Sequence, residues 1–165
     1  MSSGTPAEDI EILLQSGYRY ALSLTHNSTR AEDILQDAWY AVLHAGGPHN
    51  KPYIFQAIRS RFINQYKRDL LVPLIPLDDI NEEDYSTYDT PFYHQDYNDA
   101  ALEQALSTLR TAEREALFLT AVEGYTAQEV AELTDQPRGT ILSMLHRSRA
   151  KIRKYYQTID TDTAP

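Results

Sequence analysis

Asp33, Gln36, Asp37 and Tyr40 recur at i, i+3, i+4 and i+7, which on a helix places them on one face. Two carboxylates on such a face can steer and orient a basic partner surface. Arg61, Asn64, Lys67 and Arg68 fall in one arc of another helix at about 100° per residue. That set suits phosphate contact, in which each neutralised phosphate releases counterions. A third group lies near the C-terminus, where Arg138 to Lys154 carries six basic residues and no acid. There Arg147 and Arg149 can hold phosphates or read guanine edges, with Arg138, Ser143 and His146 beside them. No catalytic constellation accompanies these groups. His26, His44, His49, His94 and His146 are scattered, and His44 and His49 straddle a Gly-Gly-Pro break. Neither a phosphate-binding glycine loop nor a nucleophile motif occurs. The expectation is a protein that binds without catalysing, with no metal and no cofactor.

The elements that must carry these side chains read as helices throughout. Thr5-Pro6-Ala7-Glu8 has a capping hydroxyl, a proline at the first helical position and a glutamate three residues on, a helix start. Gly17 is expected to weaken or bend that helix before it resumes over Tyr18 to Thr25. Thr29-Arg30-Ala31-Glu32 reads as a second capping box, and Ile34/Leu35, Ala38/Trp39 and Val42/Leu43 follow at four-residue steps until Gly46-Gly47-Pro48. Pro52 opens the next helix, with Phe55, Ile58, Phe62 and Tyr66 as its buried stripe. Periodicity then vanishes until Ala101, where Leu102, Ala105, Leu106 and Leu109 restore it. Thr111 is expected to cap the following helix, and Thr126-Ala127-Gln128-Glu129 forms a third capping box. A short helix, a break at Thr134-Asp135-Gln136 and a longer basic helix with Ile141, Leu145, Ser148, Ile152 and Tyr155 on one face make a helix-turn-helix.

Charge is segregated along the 165 residues, whose formal net charge is -9. Residues 1–68 are nearly balanced, residues 69–109 hold 10 acids and no base, and residues 110–165 are neutral. The fold expected is all-α. It comprises a helical domain over 1–69, an acidic aromatic linker over 70–99, a helix-turn-helix domain over 100–158 and a frayed tail over 159–165. Apolar residues make up 42% of the chain and cysteine is absent. The first is compatible with a packed core, and the second excludes disulfides and thiolate zinc sites. No apolar run approaches the roughly 18 residues of a membrane span, and the polar, acidic start is unlike a signal peptide. A soluble cytoplasmic protein is expected.

Two stretches of the sequence resemble one known family. Arg30-Ala31-Glu32-Asp33-Ile34-Leu35-Gln36-Asp37-Ala38-Trp39 is similar to the start of region two in bacterial sigma factors of the extracytoplasmic-function group. The segment Tyr53 to Arg68 aligns with the promoter-melting helix of that group. Gly139 to Arg149 is similar to the recognition helix of region four, and the resemblance covers about residues 30–155 with the linker outside it. It implies an alternative sigma factor that binds core RNA polymerase, recognises promoter DNA and promotes transcription initiation, with an anti-sigma factor as a further partner. By the same resemblance Asp33, Gln36, Asp37 and Tyr40 dock the polymerase clamp. His49, Asn50 and Lys51 stand in or beside a loop that captures a flipped promoter base, and Arg61, Asn64, Lys67 and Arg68 contact the melted element. Arg138, Ser143, His146, Arg147 and Arg149 contact the upstream element, and the acidic linker enters a basic channel of the polymerase. The sequence departs from the family at several points. Asn64 replaces the usual aspartate, Thr134-Asp135-Gln136 replaces Leu-Gly-Ile, and Leu142 and Met144 stand at positions usually basic. The last departure predicts weak DNA binding by the C-terminal domain. It also keeps an alternative open: a sigma-like mimic that binds an anti-sigma factor or polymerase without reading DNA.

Overall fold

A computed structural model describes residues 6–70 and 99–162, with side-chain surroundings described for 9–69 and 100–162. The described residues form seven helices and no strand, the all-α class expected. The chain divides into two compact units, Met1–Leu77 and Asp78–Pro165. The linker expected over 70–99 lies outside the described residues except at its ends, where Leu70 closes one helix and Asp99 opens the next. Thr5, expected as the first cap, is also outside them.

The first unit is a three-helix bundle of α1 (Pro6–Thr25), α2 (Ser28–Ala45) and α3 (Lys51–Leu70). Its centre holds Tyr20, Leu24, Ile34, Ile54, Phe55 and Ile58, all essentially without solvent contact, and the rings of Tyr20 and Phe55 meet at 4.6 Å. Of the stripe expected on α3, Phe55, Ile58 and Tyr66 are buried, whereas Phe62 is half-buried against Tyr66 at 6.4 Å. Gly17 does not divide α1, which runs unbroken through it. A Cβ there would come within 2.9 Å of Leu35 Cδ1 and 3.2 Å of Ile58 Cδ1, so the glycine allows the three helices to approach closely. The cap of α2 also differs from expectation. Asn27, not Thr29, is the N-cap, and its side chain accepts from the Arg30 N–H at 2.9 Å. At the far end Gly46 adopts φ 67° and donates toward Leu43 and Val42 carbonyls, a left-handed stop that glycine takes without steric cost.

The second unit contains α4 (Asp99–Ser107), α5 (Thr111–Ala121), α6 (Ala127–Thr134) and α7 (Arg138–Asp162). Ala105, Leu109, Ala112, Ala116, Leu119, Val130, Ala131, Ile141, Met144 and Leu145 are its buried apolar residues. Thr111 is not the cap of α5. That position belongs to Arg110, whose backbone N–H donates to Glu113 Oε1 at 3.1 Å. The third capping box forms as expected, with Thr126 Oγ1 accepting from Glu129 N–H and Glu129 Oε1 accepting from Thr126 N–H. The tail expected from 159 is helical through Asp162. No glycine or proline interrupts residues 140–164, so nothing in the local chemistry ends α7 at 158.

Candidate functional site

Three polar surfaces can be built from these elements, two on the first unit and one on the second. On α2, burying Ala31, Ile34, Ala38 and Val42 turns Asp33, Gln36, Asp37 and Tyr40 outward, and all four are exposed. Tyr40 is 68% exposed. It stacks on His44 one turn on, with ring centroids 5.7 Å apart and planes at 15°. Leu43, 50% exposed, borders the same face. His44 and Leu43 were not among the residues expected here, although the i+4 step from Tyr40 would have indicated His44.

The second surface joins the α2–α3 connection to α3. His49 packs its ring on Trp39 at 5.0 Å. Asn50 has a structural task, since its Oδ1 accepts from the Tyr53 N–H at 3.0 Å and so caps the start of α3. Lys51 is half-buried. Gly47 lies directly against the Tyr53 ring, which would have to move to admit a Cβ there. Along α3, Arg61, Asn64 and Arg68 are exposed and Lys67 is half-buried. Beside them Asp69 is tied back to Arg30 at 2.8 Å, which takes an acid out of competition with the basic face.

The third surface is the exposed half of α7. At about 100° per residue, the exposed residues 138, 139, 142, 143, 146, 147, 149, 150, 153 and 154 fill roughly half the helix circumference. The other half holds Ile141, Met144, Leu145 and Ser148, all buried. All the C-terminal candidates, Arg138, Ser143, His146, Arg147 and Arg149, therefore share one face, joined by Arg153 and Lys154. Two expectations change. Met144 is 1% exposed, so it is a core residue and cannot be a missing DNA contact. Lys151 turns away from the basic face to meet Glu113 Oε1 at 2.6 Å. That pair, with Ser148 Oγ donating to the Glu113 carbonyl at 3.2 Å, fastens α7 to the first turn of α5. Thirty-eight residues separate Lys151 from Glu113, so no local pattern announces the contact.

The turn before α7 is unusual in its residues. Asp135 stands at φ 54°, ψ 46°, the left-handed region that glycine occupies most easily. Thr134 is buried and donates to the Val130 carbonyl at 2.7 Å, and the Gln136 N–H reaches the Ala131 carbonyl at 3.0 Å. The polar turn thus keeps helix-turn-helix geometry through its own hydrogen bonds. Among the described residues no group of three or more His, Asp or Glu side chains could hold a metal ion, and no helix is long and apolar enough to cross a membrane.

Residues 99–152 match the family described as sigma-70, region 4. The chain is 23% identical over 158 residues to the RNA polymerase sigma factor YlaC of Bacillus subtilis, spanning 89% of this chain and 91% of that one. It is 25% identical over 153 residues to the ECF RNA polymerase sigma factor SigM of the same organism, spanning 90% and 93%. Among solved structures, the sigma factor RpoE from Bartonella quintana, in complex with the anti-sigma factor NepR, matches with a TM-score of 0.66 at 21% identity. The match covers 92% of this chain and 96% of that one, and at that identity it is a likeness of fold. Two helical units, the second a region 4 helix-turn-helix, define the class as a DNA-binding transcription protein. Over about nine-tenths of its length the chain is similar to sigma factors of RNA polymerase, the extracytoplasmic-function group among them, and this likeness supports an alternative sigma factor promoting transcription initiation.

Proposed function

We propose that the three surfaces divide the work of initiation. The α2 face with Asp33, Gln36, Asp37 and Tyr40 docks a basic surface of core RNA polymerase, where opposite charge steers encounter and fixes orientation. The α3 face with Arg61, Asn64, Lys67 and Arg68, and the connection bearing His49, Asn50 and Lys51, meets the promoter where it opens. The α7 face lies along the upstream duplex, with Arg147 and Arg149 on phosphates or guanine edges and Arg138, Ser143 and His146 beside them. An anti-sigma factor is the regulatory partner, which acts by occupying these surfaces. The chain catalyses no reaction itself; bond formation belongs to the polymerase, in the cytoplasm.

The observation that supports this reading best is the division of α7. Its cations other than Lys151 occupy the exposed half, while Met144 lies in the core. The face therefore keeps five of the six bases of this stretch and is less interrupted by apolar residues than the sequence alone suggests. The test is retention of promoter DNA by core polymerase reconstituted with the full chain, measured across a salt series around 0.15 M. Arg147→Ala with Arg149→Ala should weaken retention and lower the salt slope by about two units. If the chain joins polymerase but neither retains DNA nor responds to these substitutions, the reading is wrong.

A further inference from the structure

Leu142 is 43% exposed in the middle of the cationic face of α7, and with Met144 buried it is the large aliphatic side chain presented there. Arg138 lies one turn before it, His146 one turn after, and Arg149 two turns after, so its surface neighbours are polar donors and not other apolar groups. An exposed leucine at the edge of an apolar patch would suggest a protein partner. One set between Arg138 and His146 on a face that carries four further arginines and lysines sits where phosphates approach and where its own branched end must meet a base edge.

We propose that Leu142 is a specificity-determining residue that contacts the 5-methyl group of a thymine in the major groove of the upstream duplex. The inference rests on the reading of α7 as the duplex-binding helix. Three observations support it together. The residue lies in the first turn and a half of α7, and in a helix-turn-helix the N-terminal part of the second helix faces base edges. Its neighbours can anchor phosphates on either side and so bring the apolar side chain into the groove. The thymine methyl is the one apolar feature of the major-groove edge of a base pair, and an aliphatic side chain is its physical complement. Ser143, next along the helix and exposed, is available to bond an adjacent edge, so the pair reads a short step and not a single position.

The experiment uses the full chain assembled on core RNA polymerase. A random duplex library is selected on this holoenzyme, and the enriched duplex is resynthesised with each thymine in turn replaced by uracil, which removes only the methyl group. One position in the upstream element should bind the natural holoenzyme roughly fourfold more weakly with uracil. Leu142→Ala should bind thymine and uracil duplexes alike at that position. Alanine favours helix and the site is exposed, so the variant should melt with the natural protein. Leu142→Lys should raise the salt slope by about one unit and lose the thymine preference. If a duplex is enriched but no thymine distinguishes the natural chain from Leu142→Ala, the thymine contact is excluded while duplex binding stands. If no duplex is enriched, the reading of α7 fails and this inference fails with it.

Discussion

Replacing Lys151 by Met should destabilise the second unit more than replacing Lys151 and Glu113 together. The Glu113 side chain is 2% exposed and that of Lys151 is 38% exposed, with 2.6 Å between Oε1 and Nζ. Removing the ammonium leaves a buried carboxylate with the Arg110 N–H on Oε1 and no hydrogen-bond partner on Oε2. Breaking a fully buried pair in this way costs about 3–5 kcal/mol. Here the lysine end reaches solvent, so water can partly replace it, and about 2–3 kcal/mol is the better figure. A unit of this size has only about 3–10 kcal/mol of stability in total, so its melting point should fall by roughly 10–20 °C. Glu113→Gln with Lys151→Met removes the stranded charge, keeps an acceptor for Arg110, and should recover to within about 1 kcal/mol of the natural chain. The assay is thermal melting of the full chain followed by circular dichroism. Fluorescence of Trp39, the single tryptophan and a residue of α2, reports the first unit as an internal control. The reasoning is refuted if Lys151→Met shifts the second unit's transition by less than about 2 °C, or if the double variant is no more stable than the single one.

Further outcomes follow from other contacts. Asp33→Lys with Asp37→Lys should reduce capture of core RNA polymerase by the full chain without changing its melting, because both residues are exposed; unchanged capture would remove the α2 face from the interface. Asp135→Gly relieves a left-handed non-glycine residue and should stabilise the second unit by about 1 kcal/mol, visible as a rise of roughly 4–8 °C in its transition. Burial, aided by Glu123 and Glu129, raises the Tyr125 phenol above its ordinary value of 10.0. The folded chain therefore holds that proton more tightly than the unfolded chain. Stability should fall as pH rises from about 10, and Tyr125→Phe should flatten that alkaline loss in melts recorded across the range.

Helix positions were largely legible because capping chemistry and apolar period agree along most of the chain. Thr126 and Glu129 form the box their spacing predicts, and the α2 polar stripe emerges exposed because its opposite face is a run of core residues. The misreadings have local causes. Asn27 and Thr29 are both residue types that can cap; α2 already begins at Ser28, and the geometry selects Asn27, whose extended φ -149° allows its side chain to turn back. Gly17 reads as a breaker by propensity, but tight helix packing reverses that weight. Met144 was assigned by resemblance to the DNA face, although its spacing from Ile141, Leu145 and Ser148 already aligned it with the buried stripe. Glu113 and Lys151 meet only through tertiary packing, and Asn50 looks the same in sequence whether it caps a helix or awaits a base.

The most direct measurement of the central claim is run-off transcription from genomic DNA by core RNA polymerase, with and without the full chain. Discrete new start sites should appear only with the chain. They should weaken both with Asp33→Lys/Asp37→Lys, which breaks docking, and with Arg147→Ala/Arg149→Ala, which breaks duplex contact. A chain that binds core polymerase and yields no discrete start site would contradict the account.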